Sequence, residues 1–370
     1  MNETAREDRA RSSDETGAVA GIGFVVAAFA TTGLAVPVRD GTDHLAVLFG
    51  LLFAVGTLAV FAGRRYDLLE RRYSLAGALG SLLVVLLAGY ALTQGISGGT
   101  DIPGLGVRIP TVFVSFLAAG TAIGIALAEY GSVPTVGLLQ RTVVTARLAA
   151  LALVAWIVSP LIGILLEIPV VLVVGGLSEI QRQAVMQIGV AIGTAAIAVA
   201  YVYNTGRDRS YFDLEKPSLR AVAWIAGGVA LIFLVNIAIS VLFSSGGIEG
   251  AEHSATQAAQ RNPELLYVMV PASILITGPF EELMYRNVIQ KSMYDVFSPV
   301  GALLVSSVLF TAIHTAAYAT AGPEALIASL AIVFGLSLVL GTVYLVTNNL
   351  VVPALIHGIY NAVIFASIAL

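Results

Sequence analysis

Two adjacent glutamates interrupt a long apolar stretch, and an arginine follows them. Glu282 and Arg286 are spaced i, i+4, so on a helix they share one face and can form an ion pair. Glu281 points about 100° away from that face and is left without this partner. A carboxylate in an apolar site can act as a general base, which makes Glu281 the first candidate for chemistry. In the alternative interpretation, both glutamates cap a helix that ends among the lipid headgroups.

Two later apolar stretches each carry a histidine in a four-residue pattern. Phe310 precedes His314 by four positions, and His357 precedes Asn361 by four. His357 and Asn361 would share a helix face and could donate hydrogen bonds in one direction, as stabilisation of an oxyanion requires. Taken singly, each histidine could also serve only as a hydrogen-bonding contact between helices.

The elements that must position these residues are predicted to be transmembrane helices. Hydrophobic residues make up 58% of the 370 positions and charged residues 11%, against roughly 25% charged residues in a typical soluble domain. The apolar residues fall in runs of about 18 or more, long enough to cross roughly 30 Å of hydrocarbon. These runs do not alternate as β-barrel strands do. The fold class is therefore all-α, a polytopic transmembrane helix bundle.

We predict about eleven membrane spans from the lengths of these runs. The predicted spans are 17–37, 44–63, 74–94, 109–128, 143–166, 183–203, 219–243, 264–290, 299–318, 324–346 and 350–369. Because Pro169 interrupts an apolar continuation, the stretch 143–177 can be interpreted as one helix plus a re-entrant piece.

The candidate residues are predicted to lie at similar depth in the membrane. With a rise of 1.5 Å per residue, Glu281 is about 15 Å above the end of its span near Lys291. On the same scale His314 is about 22 Å, His357 about 10 Å and Asn361 about 16 Å above that side. Ionisable residues inside a bilayer are functional candidates by default. Three helices bring such groups to one level, which favours a shared site.

Lysine and arginine in short loops predict that the N-terminus is cytoplasmic. The basic residues that would share this side are Arg6, Arg9, Arg11, Arg64, Arg65, Arg71, Arg72, Arg207, Arg209, Lys216 and Arg220. The cell membrane is the predicted location. His44 and His253, in or beside the outer loops, are predicted to be ordinary surface residues.

The polar residues divide the chain into three predicted regions. Residues 1–16 are predicted to form a disordered cytoplasmic tail, and 17–205 a transmembrane bundle of unknown role. Residues 206–370 contain the chemical candidates, and the loop 211–217 is the predicted boundary. The net charge of −4, without a basic block, speaks against a nucleic-acid partner. The lack of cysteine excludes thiolate chemistry.

The three motifs, in this order on successive spans, resemble those of the CAAX protease and bacteriocin-processing family. That family includes the type II CAAX prenyl endopeptidases and related bacterial immunity-type proteins. The resemblance covers roughly residues 210–370. It implies an intramembrane endopeptidase whose partners are the lipid bilayer and a peptide, or a prenylated or otherwise membrane-anchored protein.

The resemblance also implies roles for single residues. Glu281 would match the general base, and His314 its partner in activating water. His357 and Asn361 would match the oxyanion-stabilising pair. Three further residues would orient the site or shape its pocket, namely Glu282, Arg286 and Phe310.

Whether a metal takes part stays open at this point. Glu281, His314 and His357 could bind Zn²⁺ and leave a fourth position free. The H-E-x-x-H zinc motif is absent from the sequence, however. A water held between Glu281 and His314 would perform the same hydrolysis without a metal, and we favour this metal-free mechanism.

Two hypotheses from other functional classes compete with proteolysis. Polar residues in the middle of a helix bundle also mark transporter pathways, but transporters usually show repeats with such residues in both halves. A membrane scaffold or immunity protein could keep the fold without catalysis. The intact motifs favour the protease.

Overall fold

The computed structural model describes residues 3–102, 104 and 106–370, with side chains from residue 17 onward except at residue 102. The first sixteen residues, which were predicted to be a disordered tail, have no described side chains, and their backbone is helical from Glu3 onward.

Helices dominate the described residues, as predicted. Numbered in chain order, they are α1 Glu3–Arg39, α2 Leu45–Arg65, α3 Ser74–Thr93, α4 Thr111–Tyr130, α5 Thr135–Val174, α6 Glu179–Asn204, α7 Leu219–Ser245, α8 Ser254–Arg261, α9 Pro263–Met293, α10 Pro299–Ile313, α11 Thr315–Tyr318, α12 Pro323–Thr347 and α13 Val351–Ala366. Short 3₁₀ turns lie at Arg71–Tyr73, Arg209–Tyr211 and Ser367–Ala369. One antiparallel hairpin, β1 Thr100–Ile102 and β2 Val107–Ile109, pairs Asp101 with Arg108. The all-α prediction is confirmed.

Ten helices of the described chain are long and apolar enough to cross a membrane. The ninth predicted span, 299–318, is shorter than expected. Its helix α10 has 15 residues, which corresponds to about 22 Å and does not reach across roughly 30 Å of hydrocarbon. The helix ends at Ile313, and His314 is its C-cap.

The ambiguous stretch after residue 143 forms one helix. α5 runs for 40 residues with Pro160 and Pro169 inside it, so the re-entrant alternative is wrong. A proline removes one backbone donor, and a long apolar helix can absorb this loss as a bend.

The chain divides into two compact units, Met1–Thr142 and Val143–Leu370. In the first unit α1 to α4 pack around a small apolar core, whose buried members are Val19, Ala27, Phe61, Ala78, Ala122, Ile125 and Ala126. At one end of this core Arg64 Nε lies 2.7 Å from Glu129 Oε1, and both side chains are buried. This ion pair neutralises both charges where water is excluded.

The second unit contains the candidate residues and is larger than predicted. Its main core includes Leu148 and Ala152 of α5 and Ala198 of α6, packed with Val288 of α9 and Phe310 of α10. The predicted boundary between 205 and 206 therefore falls inside this unit, and the division of the fold lies at residue 142 instead. Composition could not place it, because α5 and α6 contribute apolar core residues without polar groups.

Helix α9 changes its winding along its length. Two segments are π-helical, Ser273–Thr277 and Leu283–Gln290, and the α-helical turn Gly278–Glu282 lies between them. π-Helical turns are rare and often occur at functional sites. The turn between them carries both candidate glutamates.

Candidate active site

Three predicted residues from three helices meet at one carboxylate oxygen. Oε2 of Glu281 lies 3.8 Å from Nε2 of His314 and 3.9 Å from Nε2 of His357. This oxygen is buried and has no hydrogen-bond partner within the described residues. The side chains of Glu281 and His314 keep 32% and 18% of their surface exposed.

His314 is oriented by the end of its own helix. As C-cap of α10 it turns back, and its Nδ1 lies 2.7 Å from the carbonyl oxygen of Phe310. A carbonyl can only accept, so Nδ1 carries the hydrogen. In the neutral ring Nε2 then holds a lone pair, and this is the atom that faces Glu281.

His357 is oriented by the second glutamate. Its Nδ1 lies 2.9 Å from Oε1 of Glu282, and Oε2 of the same carboxylate lies 2.9 Å from Nε of Arg286. Glu282 and Arg286 are both 0% exposed. Arg286 also donates to the hydroxyl of Ser337 at 2.9 Å. The carboxylate of Glu282 therefore bridges a buried guanidinium and the imidazole.

Phe310 packs against both histidines. Its ring centroid lies 4.4 Å from that of His314 and 6.0 Å from that of His357. Tyr285 meets the ring edge-on at 4.9 Å, and Cζ of Arg286 lies 5.2 Å from its centroid. Aromatic and cation–π contacts of this kind have preferred geometries, so Phe310 limits how the imidazoles can turn.

Two glycines let the backbones of α9 and α13 approach closely. A Cβ on Gly278 would lie 2.4 Å from the carbonyl oxygen of Ala354, and one on Gly358 would lie 2.6 Å from that of Ser273. Real Cβ atoms do not come this close to a backbone. Gly278 precedes Glu281 by three residues, and Gly358 follows His357 directly, so this contact brings base and histidine together.

Comparison with known families supports the same segment. Residues 263–363 match the family described as type II CAAX prenyl endopeptidase, Rce1-like. This segment is similar to the CAAX protease family. The resemblance drawn from the three motifs is thereby confirmed, over a shorter stretch than the 210–370 expected from them. No curated protein and no solved structure is significantly similar to the chain.

The fourth predicted residue of the CAAX protease segment lies one turn from the group. Asn361 follows His357 by four residues on α13 and is half-buried. Within the described residues no hydrogen bond or ion pair joins it to Glu281. The structure thus brings three of the four predicted residues together and places Asn361 on the same helix face as His357.

The donor atoms of the group are of the kinds that zinc accepts. They are two imidazole nitrogens and a carboxylate oxygen. Nevertheless, no group of three or more His, Cys, Asp or Glu side chains in the described chain has the geometry to hold a metal ion. No step below is derived through a metal ion.

His253, beside the CAAX protease segment, is not the ordinary surface residue that was expected. Its ring meets Tyr318 edge-on at 5.0 Å, and Tyr318 lies one turn after His314. Burial, together with the nearby His314, lowers the pKa of His253 to about 4, so the ring is neutral at pH 7. The sequence shows no spacing pattern that predicts this contact, because residues 246–262 lie between two helices and reach Tyr318 only in the folded chain.

Asn236 forms a contact between helices. It donates a hydrogen bond to the hydroxyl of Tyr360 on α13 and accepts one from Ser240 at 3.2 Å. The first of these bonds joins α7 to the helix that carries His357.

Proposed function

We propose that the second unit is an intramembrane endopeptidase that hydrolyses a peptide bond close to the membrane, with water activated by Glu281 and His314. The family match supports a CAAX-type membrane protease in general terms. One observation carries the finer assignment: a buried carboxylate oxygen of Glu281 without a hydrogen-bond partner in the described chain faces two imidazole nitrogens.

The acceptor atoms define how water would be held. A water molecule between Glu281 and His314 donates one hydrogen to the carboxylate and the other to Nε2 of the imidazole. Its lone pair then attacks the scissile carbonyl carbon. Glu281 takes the proton, and later transfers it to the leaving amine as the C–N bond breaks. The products are a carboxylate and an amine.

The developing oxyanion needs donors on the opposite side of the carbonyl. The amide of Asn361 can donate one hydrogen bond. His357 already donates through Nδ1 to Glu282, so it can donate through Nε2 only as an imidazolium. With this charge, two cations, Arg286 and His357, balance two carboxylates, and the buried group is neutral overall. Glu282 would thus position His357 and stabilise its positive charge.

The substrate and orientation follow from the same proposal. A peptide ending in a prenylated cysteine motif is the substrate class that the family description names. The chain is a multi-pass membrane protein, and we place its N-terminus in the cytoplasm and the protein in the cell membrane.

The test compares two glutamates of one helix. The protein in lipid vesicles is given an internally quenched peptide ending in a farnesylated cysteine and three further residues. Glu281→Gln should abolish cleavage, whereas Glu264→Gln, exposed in the first turn of α9, should cleave like the wild type. Cleavage retained by Glu281→Gln would refute the mechanism. An inactive wild type would favour the scaffold hypothesis.

A further inference from the structure

A second polar cluster fastens helix α9 to the loop that joins α6 to α7. It consists of Asp213 and Tyr211 from this loop, Asn287 and Lys291 from α9, and Tyr344 from α12, and we call it the Asp213 cluster. From the sequence, this loop was predicted only to be the boundary between two regions of the chain. In the structure it is attached to two helices of the protease segment.

One oxygen of Asp213 receives two hydrogen bonds from side chains. The hydroxyl of Tyr344 donates to Oδ2 at 2.5 Å, and Nδ2 of Asn287 donates to the same oxygen at 3.2 Å. Asn287 is completely buried. Its Nδ2 also lies 3.1 Å from the hydroxyl oxygen of Tyr344. The three groups close a ring of hydrogen bonds, so none of them can turn alone.

The other oxygen of Asp213 forms an ion pair. Nζ of Lys291 lies 2.7 Å from Oδ1 and 2.7 Å from the carbonyl oxygen of Tyr211. The ammonium also lies 4.4 Å from the centroid of the Tyr211 ring. Lysine and aspartate keep 25% and 21% of their side-chain surface exposed. The loop is therefore attached to α9 one helical turn beyond Asn287.

These contacts bracket the end of the π-helical segment of α9 that carries Arg286. Asn287 lies inside the segment Leu283–Gln290, and Lys291 follows its end. π-Helical hydrogen bonding is uncommon, so this winding depends on contacts from outside the helix. Arg286 is the immediate neighbour of Asn287. A rotation of the segment would therefore move the guanidinium.

From Arg286 the contacts lead to the reacting group. Arg286 holds Glu282, and Glu282 holds Nδ1 of His357. Asp213 is the acidic member of its cluster, and it lies outside the matched residues 263–363. The family segment thus receives one of its anchoring charges from a part of the chain that the family match does not include.

We propose that Asp213 is a positioning residue of the protease site, which acts through Asn287 and Lys291 on the winding of α9 and so on Arg286, Glu282 and His357. The inference rests on the proposed proteolytic function. The functional protease unit then extends at least from residue 211, and a shortened chain that begins at residue 263 would lack this anchor.

The experiment uses the full-length chain in vesicles and the farnesylated peptide probe. Asp213→Asn removes the negative charge. Its new amide hydrogens would face groups that are themselves hydrogen-bond donors, namely those of Asn287, Tyr344 and Lys291. We expect kcat to fall about 10- to 100-fold, because a small misplacement of a catalytic group lowers the rate by such factors. KM should stay unchanged. Asp213→Glu, which keeps the carboxylate, should recover part of kcat. Glu215→Gln, exposed two residues further along the loop, is the control and should match the wild type.

Two results would overturn the inference. One is a wild-type kcat for Asp213→Asn. The other is a lower melting temperature with unchanged kcat of the folded fraction, which would make Asp213 merely stabilising. If Asp213→Asn does not fold, Tyr344→Phe removes one hydrogen bond to Asp213 and must lower kcat in the same direction. Glu281→Gln is measured in parallel: if it cleaves normally, the proposed function fails, whereas an inactive Glu281→Gln beside a fully active Asp213→Asn refutes this inference alone.

Discussion

His357 donates its Nδ1 hydrogen to Glu282 across 2.9 Å, from a different helix. The neighbouring Glu281 makes no such bond, and its Oε2 faces both imidazoles at distances too long for direct hydrogen bonding. Two adjacent and identical side chains thus have different surroundings. One balances buried charge, and the other is left available for chemistry.

This difference predicts opposite behaviour of two matched variants. Glu282→Gln should leave Arg286 as an uncompensated buried charge, which costs about 3–5 kcal/mol. We expect the apparent melting temperature in detergent to fall by roughly 6–20 °C for a unit of this size. Glu281→Gln should lower the melting temperature much less, because the Glu281 side chain is 32% exposed and makes no ion pair with Arg286, while losing cleavage. Equal melting temperatures for both variants would contradict the assigned roles.

The close contact of α9 with α13 predicts a strong effect of one methyl group. Gly358→Ala places Cβ 2.6 Å from the carbonyl oxygen of Ser273, so the two helices must separate. We expect a loss of about 1–3 kcal/mol of stability and about 100-fold of activity, measured by thermal unfolding and peptide cleavage. Gly227→Ala on α7, where a Cβ would meet nothing within 4 Å, is the control. Equal activity of both variants would show that this helix contact does not determine the activity.

The proposed mechanism, in which Glu281 and His314 activate water, predicts hydrolysis without a metal. Cleavage should continue at the wild-type rate after treatment with 1,10-phenanthroline, and elemental analysis of the purified protein should find zinc well below one atom per chain. Loss of activity with the chelator, restored by added zinc and not by magnesium, would show that the two imidazoles and Glu281 close around a metal in solution.

The absence of cysteine allows a direct test of orientation. Leu68→Cys places a single thiol in the loop between α2 and α3, and Ser97→Cys places one in the loop before β1. In intact cells a membrane-impermeant maleimide should label Ser97→Cys and spare Leu68→Cys. Permeabilised cells should show labelling of both. The reverse pattern in intact cells would place the N-terminus outside.

The helical fold, and the meeting of Glu281, His314 and His357, could be predicted from sequence, because both expectations rest on local properties. Run lengths predict spans, and a fixed rise per residue brings Glu281, His314 and His357 to one level. The rotation of each helix about its axis is not determined by local sequence. It depends on where backbones approach, here at Gly278 and Gly358, and on the turn that ends α10 at His314.

Three features could not be predicted for related reasons. The packing of α5 and α6 with α9 moved the division of the fold to residue 142, since purely apolar contacts leave no pattern that distinguishes one neighbour from another. His253 contacts Tyr318 only because the loop after α7 folds against the segment that follows α10. Asp213 looked like an ordinary loop acid until its partners on α9 and α12 were known.

The glycine contact between α9 and α13 also couples the reaction to the bilayer. Flexible side chains between two helices can absorb a small tilt, but here main chain touches main chain and nothing can adapt. A change in hydrocarbon thickness that tilts either helix is therefore passed directly to the separation of Glu281 and His357. The turnover number should then vary with the acyl-chain length of the surrounding lipid, and the Gly227→Ala control should share this dependence.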